Sequence, residues 1–259
     1  MVKIEELSSK DEELSTKERS SKEVNSKDEE EQSAPASTAE LSSGLALGWS
    51  SDPGEGQDLA QLLHRYGSDK DRNGYAQCYT TLFDRFQHTP LTMLEIGIGT
   101  MIPGVHSSMQ GYALSGYKPG GSLRAWRDFL TKGRIIGFDV QPDTQFSDEE
   151  RIETYLCNST DLAEVDHKLE QMGNPRFDII LDDGSHIDQD QLKTLANLYP
   201  HLKPGGIYII EDIYPSSVVS SNPNLVAERC NNDPFFFVGL KNNICVIYKR
   251  RLVSHRENY

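Results

Sequence analysis

The chain has 259 residues, of which 25% are charged and 36% are hydrophobic, and its formal net charge is −14. An acidic chain without a basic cluster argues against nucleic acid as a routine partner, because phosphate binding requires grouped lysines and arginines. No apolar run approaches a membrane-spanning length, no secretory signal opens the sequence and the four cysteines form no CxxC pair, so we expect a cytoplasmic protein with reduced thiols and no membrane contact.

The first part of the chain has the composition of a disordered segment. Residues 1–43 contain 12 acidic and 6 basic residues and no aromatic residue, too little apolar surface to offset the entropy of ordering. A weak seven-residue leucine repeat leaves a transient helix as the alternative. Glycines and a proline in residues 42–56 indicate a flexible connector. We therefore predict an acidic tail and linker over residues 1–56 and a single folded domain over residues 57–259.

Periodicity predicts two helices at the start of this domain. Apolar residues at helical spacing indicate a first helix over residues 59–66, capped by Asp58 and ended by Gly67. The same spacing of aromatic and leucine side chains indicates a second helix over residues 76–86. After residue 90 the pattern changes to short apolar runs, which are typical of buried strands.

The remaining sequence alternates between predicted strands and helices. The predicted strands are residues 91–97, 134–140, 152–157, 177–181 and 206–210, and the predicted helices are residues 122–130, 161–169 and 188–199. This alternation predicts a parallel sheet with helices on both faces. Two final apolar segments, 234–238 and 244–248, are spaced as an antiparallel hairpin. The pattern is that of an α/β, class I methyltransferase (Rossmann-like) fold and differs from the six-stranded, wholly parallel dinucleotide fold.

A glycine turn follows the first predicted strand. Gly97 and Gly99 come directly after Glu95 and Ile96, and glycine lets the backbone approach a ligand closely because it has no Cβ. Asp139 ends the second strand, where a carboxylate accepts hydrogen bonds from the hydroxyls of an adenosine ribose. Together these residues favour an adenosine-containing ligand over a turn with a purely structural role.

The ligand is predicted to lack a diphosphate. Ile102 stands where a dinucleotide motif has its third glycine, and a 22-residue insertion over residues 100–121 separates the turn from the next predicted helix. A diphosphate binds at a helix N-terminus that begins directly after the glycines, and that feature is missing here. S-adenosylmethionine satisfies these constraints, and Glu95 can hold its amino group.

Two pairs of carboxylates end neighbouring predicted strands. Asp182 and Asp183 precede a Gly-Ser-His turn, and Glu211 and Asp212 end the following strand. Both strand ends face the same crevice of an open α/β sheet, where four carboxylates repel one another unless a cation neutralises them. Oxygen ligands without cysteine suit Mg²⁺. The sequence therefore predicts a magnesium site, with loop and helix-capping acids as the alternative.

Residues 62–213 resemble a family of metal-dependent, S-adenosylmethionine-dependent O-methyltransferases that act on sugars of macrolides and other natural products, the mycinamicin type. The matching segments are residues 66–70 (Tyr-Gly-Ser-Asp-Lys), 94–99, 120–126 (Gly-Gly-Ser-Leu-Arg-Ala-Trp), 182–186 (Asp-Asp-Gly-Ser-His) and 202–206, which leads to the Glu-Asp pair. The similarity includes the insertion before Ser122, which makes it more specific than a shared fold.

The resemblance implies roles for the residues at the reacting end of the site. It implies that Asp183, Glu211 and Asp212 hold Mg²⁺ and that His186 is the general base. A hydroxyl bound to Mg²⁺ has a lowered pKa and a fixed position, and a histidine is suited to accept its proton near neutral pH. We therefore expect methyl transfer to a hydroxyl of a small sugar or secondary metabolite.

Three further residues are expected to contact the cofactor. Ser68 lies in one matching segment, and Asn158 or Ser159 occupies the position after the third strand where the family contacts the adenine. Two other functions stay open from the sequence: a nicotinamide-dependent oxidoreductase, and a methyltransferase-like binding or scaffold protein without catalysis. The oligomeric state also stays open, a homo-oligomer included.

Overall fold

The computed structural model describes residues 58–105, 107–113, 116–231, 233, 237–238 and 243–250. The predicted tail and linker, residues 1–56, lie outside the described residues, as do residues 234–236 of the predicted hairpin. In the described part the helices are α1 (Leu59–Arg65), α2 (Tyr75–Phe83), α3 (Gly121–Phe129), α4 (Leu162–Gln171), α5 (Asp188–Leu198), α6 (Val218–Ser221) and α7 (Pro223–Arg229). The strands are β1 (Leu91–Ile96), β2 (Gly133–Asp139), β3 (Ile152–Leu156), β4 (Phe177–Asp182), β5 (Leu202–Ile210), β6 (Phe237–Val238) and β7 (Cys245–Tyr248).

These strands form one sheet in the order β3-β2-β1-β4-β5-β7-β6. The first five strands are parallel, and β7 pairs antiparallel with both β5 and β6. The predicted parallel sheet with a terminal antiparallel hairpin is therefore confirmed. The strand order reverses at β1, which pairs with β2 on one side and with β4 on the other. Ligands of open α/β sheets bind at such a reversal, beyond the carboxyl ends of the strands.

Helices cover both faces of the sheet. Neighbouring residues Met93 and Leu94 of β1 belong to opposite clusters of buried apolar side chains, because successive side chains of a strand point to opposite faces. Helices α1, α2 and α3 contribute to the first cluster, and α4, α5, α6 and α7 contribute to the second. No helix of the described residues is long and apolar enough to cross a membrane.

Local chemistry explains most element boundaries. Asp58 caps α1 by accepting a hydrogen bond from the backbone NH of Ala60, and Gly67 follows the helix at φ +73°, as predicted. The helix predicted over residues 76–86 is α2 followed by a tighter 3₁₀ turn, Asp84–Phe86. Helices α6 and α7 were not predicted. They are short, and their signals are local: Asn222 caps α7 and Pro223 occupies its first turn.

The turn after β1 lies directly against the turn after β4. Gly97 adopts φ +87°, and a Cβ at this position would overlap the backbone carbonyl oxygen of Asp183. Only glycine combines this backbone conformation with so close an approach. The two turns that carry the predicted site residues can therefore approach this closely only because residue 97 has no side chain.

We predict that Gly97→Ala lowers the free energy of unfolding more than Gly173→Ala does. Gly173 also has a positive φ, of +79°, but a Cβ there meets no atom within 4 Å. The control should cost about 1–2 kcal/mol from backbone strain alone, whereas Gly97→Ala adds about 1–3 kcal/mol because the Asp183 turn must move. Urea denaturation of both variants measures the difference. Equal destabilisation would show that the contact between the two turns is not constrained.

Candidate active site

One large cavity, of about 1190 Å³, opens at the carboxyl edge of the sheet. It is lined by residues from five consecutive strand ends, including most of the predicted site residues: Gly97, Gly99, Asp139, Asn158, Ser159, Asp183, His186, Glu211 and Asp212. The cavity therefore joins the predicted adenosine end, beside β2 and β3, to the predicted reacting end, beside β4 and β5. Ser68 and Glu95 are the predicted site residues that do not line it.

At the reacting end, His186 stands between two carboxylates. Its Nε2 lies 3.0 Å from Oδ1 of Asp183 and 3.3 Å from Oδ2 of Asp212. Candidate ligand atoms of these three residues all lie within 4.8 Å of one another. His186 and Asp212 both have a positive φ, +57° and +54°, and such backbone conformations in non-glycine residues concentrate at functional sites.

A buried lysine that the sequence analysis did not single out lies behind these residues. Lys70 is 2% exposed, and its Nζ donates hydrogen bonds to Asp183 Oδ2 at 2.5 Å and to both oxygens of Glu211 at 2.9 Å. The same ammonium lies 3.6 Å from Oε1 of Glu95. Lys70 sits in the matching segment 66–70, which is the only sequence signal that pointed to it.

Two tyrosines of α2 donate hydrogen bonds to carboxylates at the reacting end. Tyr75 donates a hydrogen bond to Oδ1 of Asp212 at 2.7 Å, and Tyr79 donates one to Oε1 of Glu211. These residues are one helical turn apart, which places them on the same face of α2. The helix face that was predicted from its apolar spacing therefore also carries hydroxyls into the site.

Burial and neighbouring charges shift the pKa values at this end. Burial would raise the pKa of Asp183, but Lys70 and His186 outweigh it and lower that pKa. Burial and the neighbouring Asp183 raise the pKa of Glu211 well above 4.5 despite the donors Lys70 and Tyr79. Burial lowers the pKa of His186, but Asp183 and Asp212 outweigh this effect and raise it. The raised pKa of Glu211 reflects the crowding of carboxylates at this end, and an additional cation would stabilise their ionised forms.

The donor set fits a divalent ion such as Mg²⁺. Asp183 and Asp212 present carboxylate oxygens toward the cavity, and Mg²⁺ commonly binds one or two protein carboxylates while keeping water ligands. Glu211 is more constrained, since its Oε1 accepts from both Tyr79 and Lys70, while its Oε2 accepts only from Lys70 and retains a lone pair. Among the described residues, the three that bring candidate ligand atoms closest together are Asp183, His186 and Asp212. The predicted ligand group has Glu211 in place of the histidine.

Glu95 and Ser68 have different surroundings from those expected. Glu95 is fully buried, and its Oε2 accepts hydrogen bonds from Ser122 and from the indole NH of Trp126, each at 2.9 Å. Ser68 is buried and caps a 3₁₀ turn by accepting from the backbone NH of Lys70. Neither residue lines the cavity in the described structure, and contact of these two residues with the cofactor stays a prediction.

Asp139 is held in place at the adenosine end. Its Oδ2 accepts from the backbone NH of Ile98 at 2.8 Å and its Oδ1 accepts from that of Gln141 at 2.9 Å. Burial raises the pKa of Asp139, and these backbone donors partly offset the rise. Each carboxylate oxygen keeps a further lone pair, so Asp139 can still accept hydrogen bonds from two hydroxyls of a ligand.

The two candidate adenine contacts differ in accessibility. Asn158 is exposed, and its Oδ1 accepts from the backbone NH and the hydroxyl of Thr160. Ser159 is buried, and its hydroxyl is hydrogen-bonded to that of Thr194 at 2.9 Å. Both line the cavity beside Asp139. The amide NH₂ of Asn158 is the group that is better placed to meet a ligand.

Comparison with known proteins agrees with this fold. No family model matches the chain. The chain is 35% identical over 165 residues to mycinamicin VI 2''-O-methyltransferase from Micromonospora griseorubida, covering 61% of this chain and 36% of the relative. It is 33% identical over 159 residues to demethylmacrocin O-methyltransferase from Streptomyces fradiae, with 61% and 36% covered. The chain thus spans little more than a third of the length of these curated relatives.

Solved structures show the same fold. The MycE methyltransferase from the mycinamycin biosynthetic pathway, in complex with Mg, SAH and mycinamycin VI, superposes with a TM-score of 0.61 at 24% identity, covering 79% of this chain and 58% of that one. A second crystal form of MycE with Mg and SAH gives a TM-score of 0.56 at 26% identity, with 76% and 54% covered. The predicted class I methyltransferase fold and the predicted resemblance are confirmed.

We predict that Tyr79→Phe destabilises the protein whereas Tyr208→Phe does not. Tyr79 is fully buried and its hydroxyl serves Glu211, so its removal leaves a buried carboxylate with one donor fewer and should cost roughly 1–3 kcal/mol. Tyr208 is equally buried, but its hydroxyl has no hydrogen-bond partner among the described residues. Chemical denaturation compares the two free energies of unfolding. Equal values would show that the Tyr79 hydroxyl does not support the site.

Proposed function

We propose that this chain carries an S-adenosylmethionine- and Mg²⁺-dependent O-methyltransferase domain that methylates a hydroxyl of a sugar or another small natural product. The observation that carries the proposal is the single cavity that joins Asp139 and the glycine turn to Asp183, His186 and Asp212. One end offers groups for an adenosine and the other offers carboxylates and a histidine. The relatives named above are O-methyltransferases, which supports the same chemistry.

The adenosine end favours S-adenosylmethionine over a nicotinamide dinucleotide. Helix α3 begins only at Gly121, and the described residues between Gly99 and that point contain a short 3₁₀ turn, Met109–Gly111, but no α-helix. A dinucleotide needs a helix N-terminus next to the glycines for its diphosphate. The oxidoreductase alternative therefore lacks its main binding feature, while an adenosine without a diphosphate needs only the turn and Asp139.

At the reacting end, Asp183 and Asp212 would hold the metal ion, with the free lone pair of Glu211 Oε2 as a third ligand. When bound, Mg²⁺ lowers the pKa of an acceptor hydroxyl and fixes its position. Methyl transfer then forms the bond from the acceptor oxygen to the methyl carbon and breaks the carbon–sulfur bond. The proton of the hydroxyl passes to His186, and S-adenosylhomocysteine leaves with the electron pair on sulfur.

The surroundings of His186 indicate how it becomes a base. In the described structure its Nε2 faces two carboxylate oxygens, which only accept hydrogen bonds, so this nitrogen carries a proton. If Asp183 and Asp212 held a cation, their oxygens would no longer need this proton. The Nε2 lone pair of His186 would then be available for the proton of the acceptor. A scaffold protein without catalysis would not need this pairing of histidine and carboxylates.

Several finer expectations remain predictions. They are the identity of the acceptor and of the methylated hydroxyl, location in the cytoplasm, and the absence of nucleic-acid and membrane partners. A homo-oligomeric state also remains open.

A direct test of the activity is to incubate the chain with methyl-labelled S-adenosylmethionine, MgCl₂ and a panel of glycosides that includes mycinamicin VI. Label transfer to a glycoside hydroxyl would support the proposal, and its absence across the panel with bound cofactor would favour a binding protein.

We predict that S-adenosylmethionine binds the domain, that NAD does not, and that Asp139→Ala weakens cofactor binding by roughly 1–3 kcal/mol, because hydrogen bonds to a charged acceptor are lost. Asp161→Ala is the matched control. Asp161 also accepts from two backbone NH groups at this edge of the sheet, those of Ala163 and Glu164, but it does not line the cavity. Isothermal titration calorimetry with both ligands measures the affinities. Unchanged affinity in Asp139→Ala would contradict the ribose assignment.

We predict that the metal and the base can be separated experimentally. Chelation should abolish methyl transfer while S-adenosylmethionine still binds, because its proposed contacts lie at the ends of β1, β2 and β3. Asp183→Asn should behave like chelation, since a neutral amide is a poorer ligand for a hard cation. His186→Ala should keep metal and cofactor binding but lose roughly 10²–10⁴ in rate, the usual contribution of a positioned general base.

Metal titration of the His186→Ala variant decides between the two possible ligand groups. If His186 is the base, the affinity for Mg²⁺ should stay near that of the wild type. A large loss of metal affinity would instead assign the histidine as a ligand, together with Asp183 and Asp212. Full activity in excess chelator would exclude the metal from the reaction.

A further inference from the structure

We propose that Lys70 is a positioning residue that serves as a permanent internal cation, sharing the charge of the acidic site with the proposed metal and keeping the site assembled when the metal is absent. This inference rests on the proposed function, because it assumes the metal site. The contacts of Lys70 from which it is argued are all present in the described structure. Lys70 belongs to a segment that resembles the methyltransferase family, and neither the cofactor nor the reaction as derived above uses it.

The contacts of Lys70 link three strands. Its ammonium pairs with Glu95 on β1, with Asp183 directly after β4 and with Glu211 directly after β5. An ammonium has three hydrogens, and here it lies within 3.6 Å of three carboxylates from different parts of the chain. Carboxylates this close favour the charged form of the lysine, because each stabilises the ammonium by direct attraction.

The position of Lys70 divides the carboxylates into two groups. Glu95 and Glu211 are almost fully buried, at 0% and 2% exposure, and face the lysine from within the protein. Asp183 takes part on both sides: its Oδ2 accepts from Lys70, and its Oδ1 is next to His186. Asp212 has no contact with Lys70 among those described and pairs with Tyr75 and His186. The lysine thus offsets part of the charge of the inner group from within, which leaves the oxygens on the cavity side for a metal ion.

A site of this construction has a specific dependence on metal. Breaking a buried ion pair by removing one partner is strongly destabilising, because the other charges remain buried without compensation. Without Lys70, the carboxylates would lack their internal cation, and a divalent ion would become the main group that neutralises them. Folding would then depend more strongly on Mg²⁺ than in the wild type, since a ligand that binds only the folded state stabilises it.

The test is the melting temperature of Lys70→Met in excess EDTA and in excess MgCl₂, compared with the wild type. Methionine keeps an unbranched chain but has no charge. In EDTA the variant should melt roughly 6–20 °C below the wild type, as expected for a broken buried pair in a chain of this size. MgCl₂ should raise the melting temperature of the variant more than that of the wild type. An equal Mg²⁺ shift in both proteins would overturn the shared-charge proposal.

Lys203→Met is the matched control. Lys203 is also paired, but with a single acid, Asp178, at 2.7 Å. Its side chain is 40% exposed, and neither residue of the pair lines the cavity. Because an exposed ion pair contributes little, this variant should melt within a few degrees of the wild type and show the wild-type response to MgCl₂. A control that matched Lys70→Met in both respects would show that loss of any lysine pair has this effect, and would overturn the proposal.

The double variant Lys70→Met/Glu211→Gln keeps the inference testable if Lys70→Met does not fold. Removing one charge of each sign should raise the melting temperature in EDTA above that of Lys70→Met alone, because replacing both partners of a buried pair by neutral groups is tolerated better than removing one. A double variant that is as unstable as the single one, or that also fails to fold, would overturn the proposal. Methyl transfer is not measured in these experiments. A recovered double variant therefore supports the role of Lys70 even if the label-transfer assay contradicts the proposed function.

Discussion

The ammonium of Lys70 lies between three carboxylates at the ends of three strands. Without a cation these carboxylates would repel one another. In a parallel sheet the strands end at the same edge, so carboxylates at the ends of β1, β4 and β5 meet in one small volume. Asp183 and Glu211 each accept a hydrogen bond from the same lysine nitrogen, which also pairs with Glu95. The Coulomb energy of such charges is large at short distance in a poorly solvated interior, so the geometry of the reacting end depends on this contact.

The helices on one face of the sheet supply the remaining donors. Trp126 and Ser122 of α3 donate to Glu95, and Tyr79 of α2 donates to Glu211. The rings of Tyr79 and Trp126 also pack edge to face, with centroids 5.2 Å apart. The same side chains therefore fill the core and satisfy the buried acids. This double role explains why a site with so many carboxylates can lie directly on a hydrophobic layer: the sheet contributes acceptors and the helices contribute donors.

The two ends of the cavity differ in what holds their residues in place. The turns after β1 and β2 are fixed by backbone contacts, such as those from Ile98 and Gln141 to Asp139, and form a rigid surface for a nucleoside. The ends of β4 and β5 instead carry crowded carboxylates, and burial together with Asp183 raises the pKa of Glu211 despite the nearby Lys70. A preformed binding surface beside an electrostatically unsatisfied one suits a reaction in which a metal ion and an acceptor complete the site.

The amino-acid sequence by itself determined the α/β pattern, the terminal hairpin, the glycine turn and the set of carboxylates at the strand ends. These features depend on residues close together in the chain: apolar spacing sets strands and helices, and the residue after a strand lies at the sheet edge. Asp139, Asp183, His186 and Asp212 could be chosen on that basis, and all of them line the cavity.

Only the tertiary structure decided which of these groups line the cavity and which are paired with one another. Lys70 lies 113 residues from Asp183 and 141 residues from Glu211 in the chain, and no local pattern reports a contact at that separation. Glu95 follows the expected strand, but α3 covers it and donates to it, so it faces the core rather than the cavity. Packing between distant segments fixes the direction of a side chain and its charge partner, whereas sequence periodicity fixes only its place along an element.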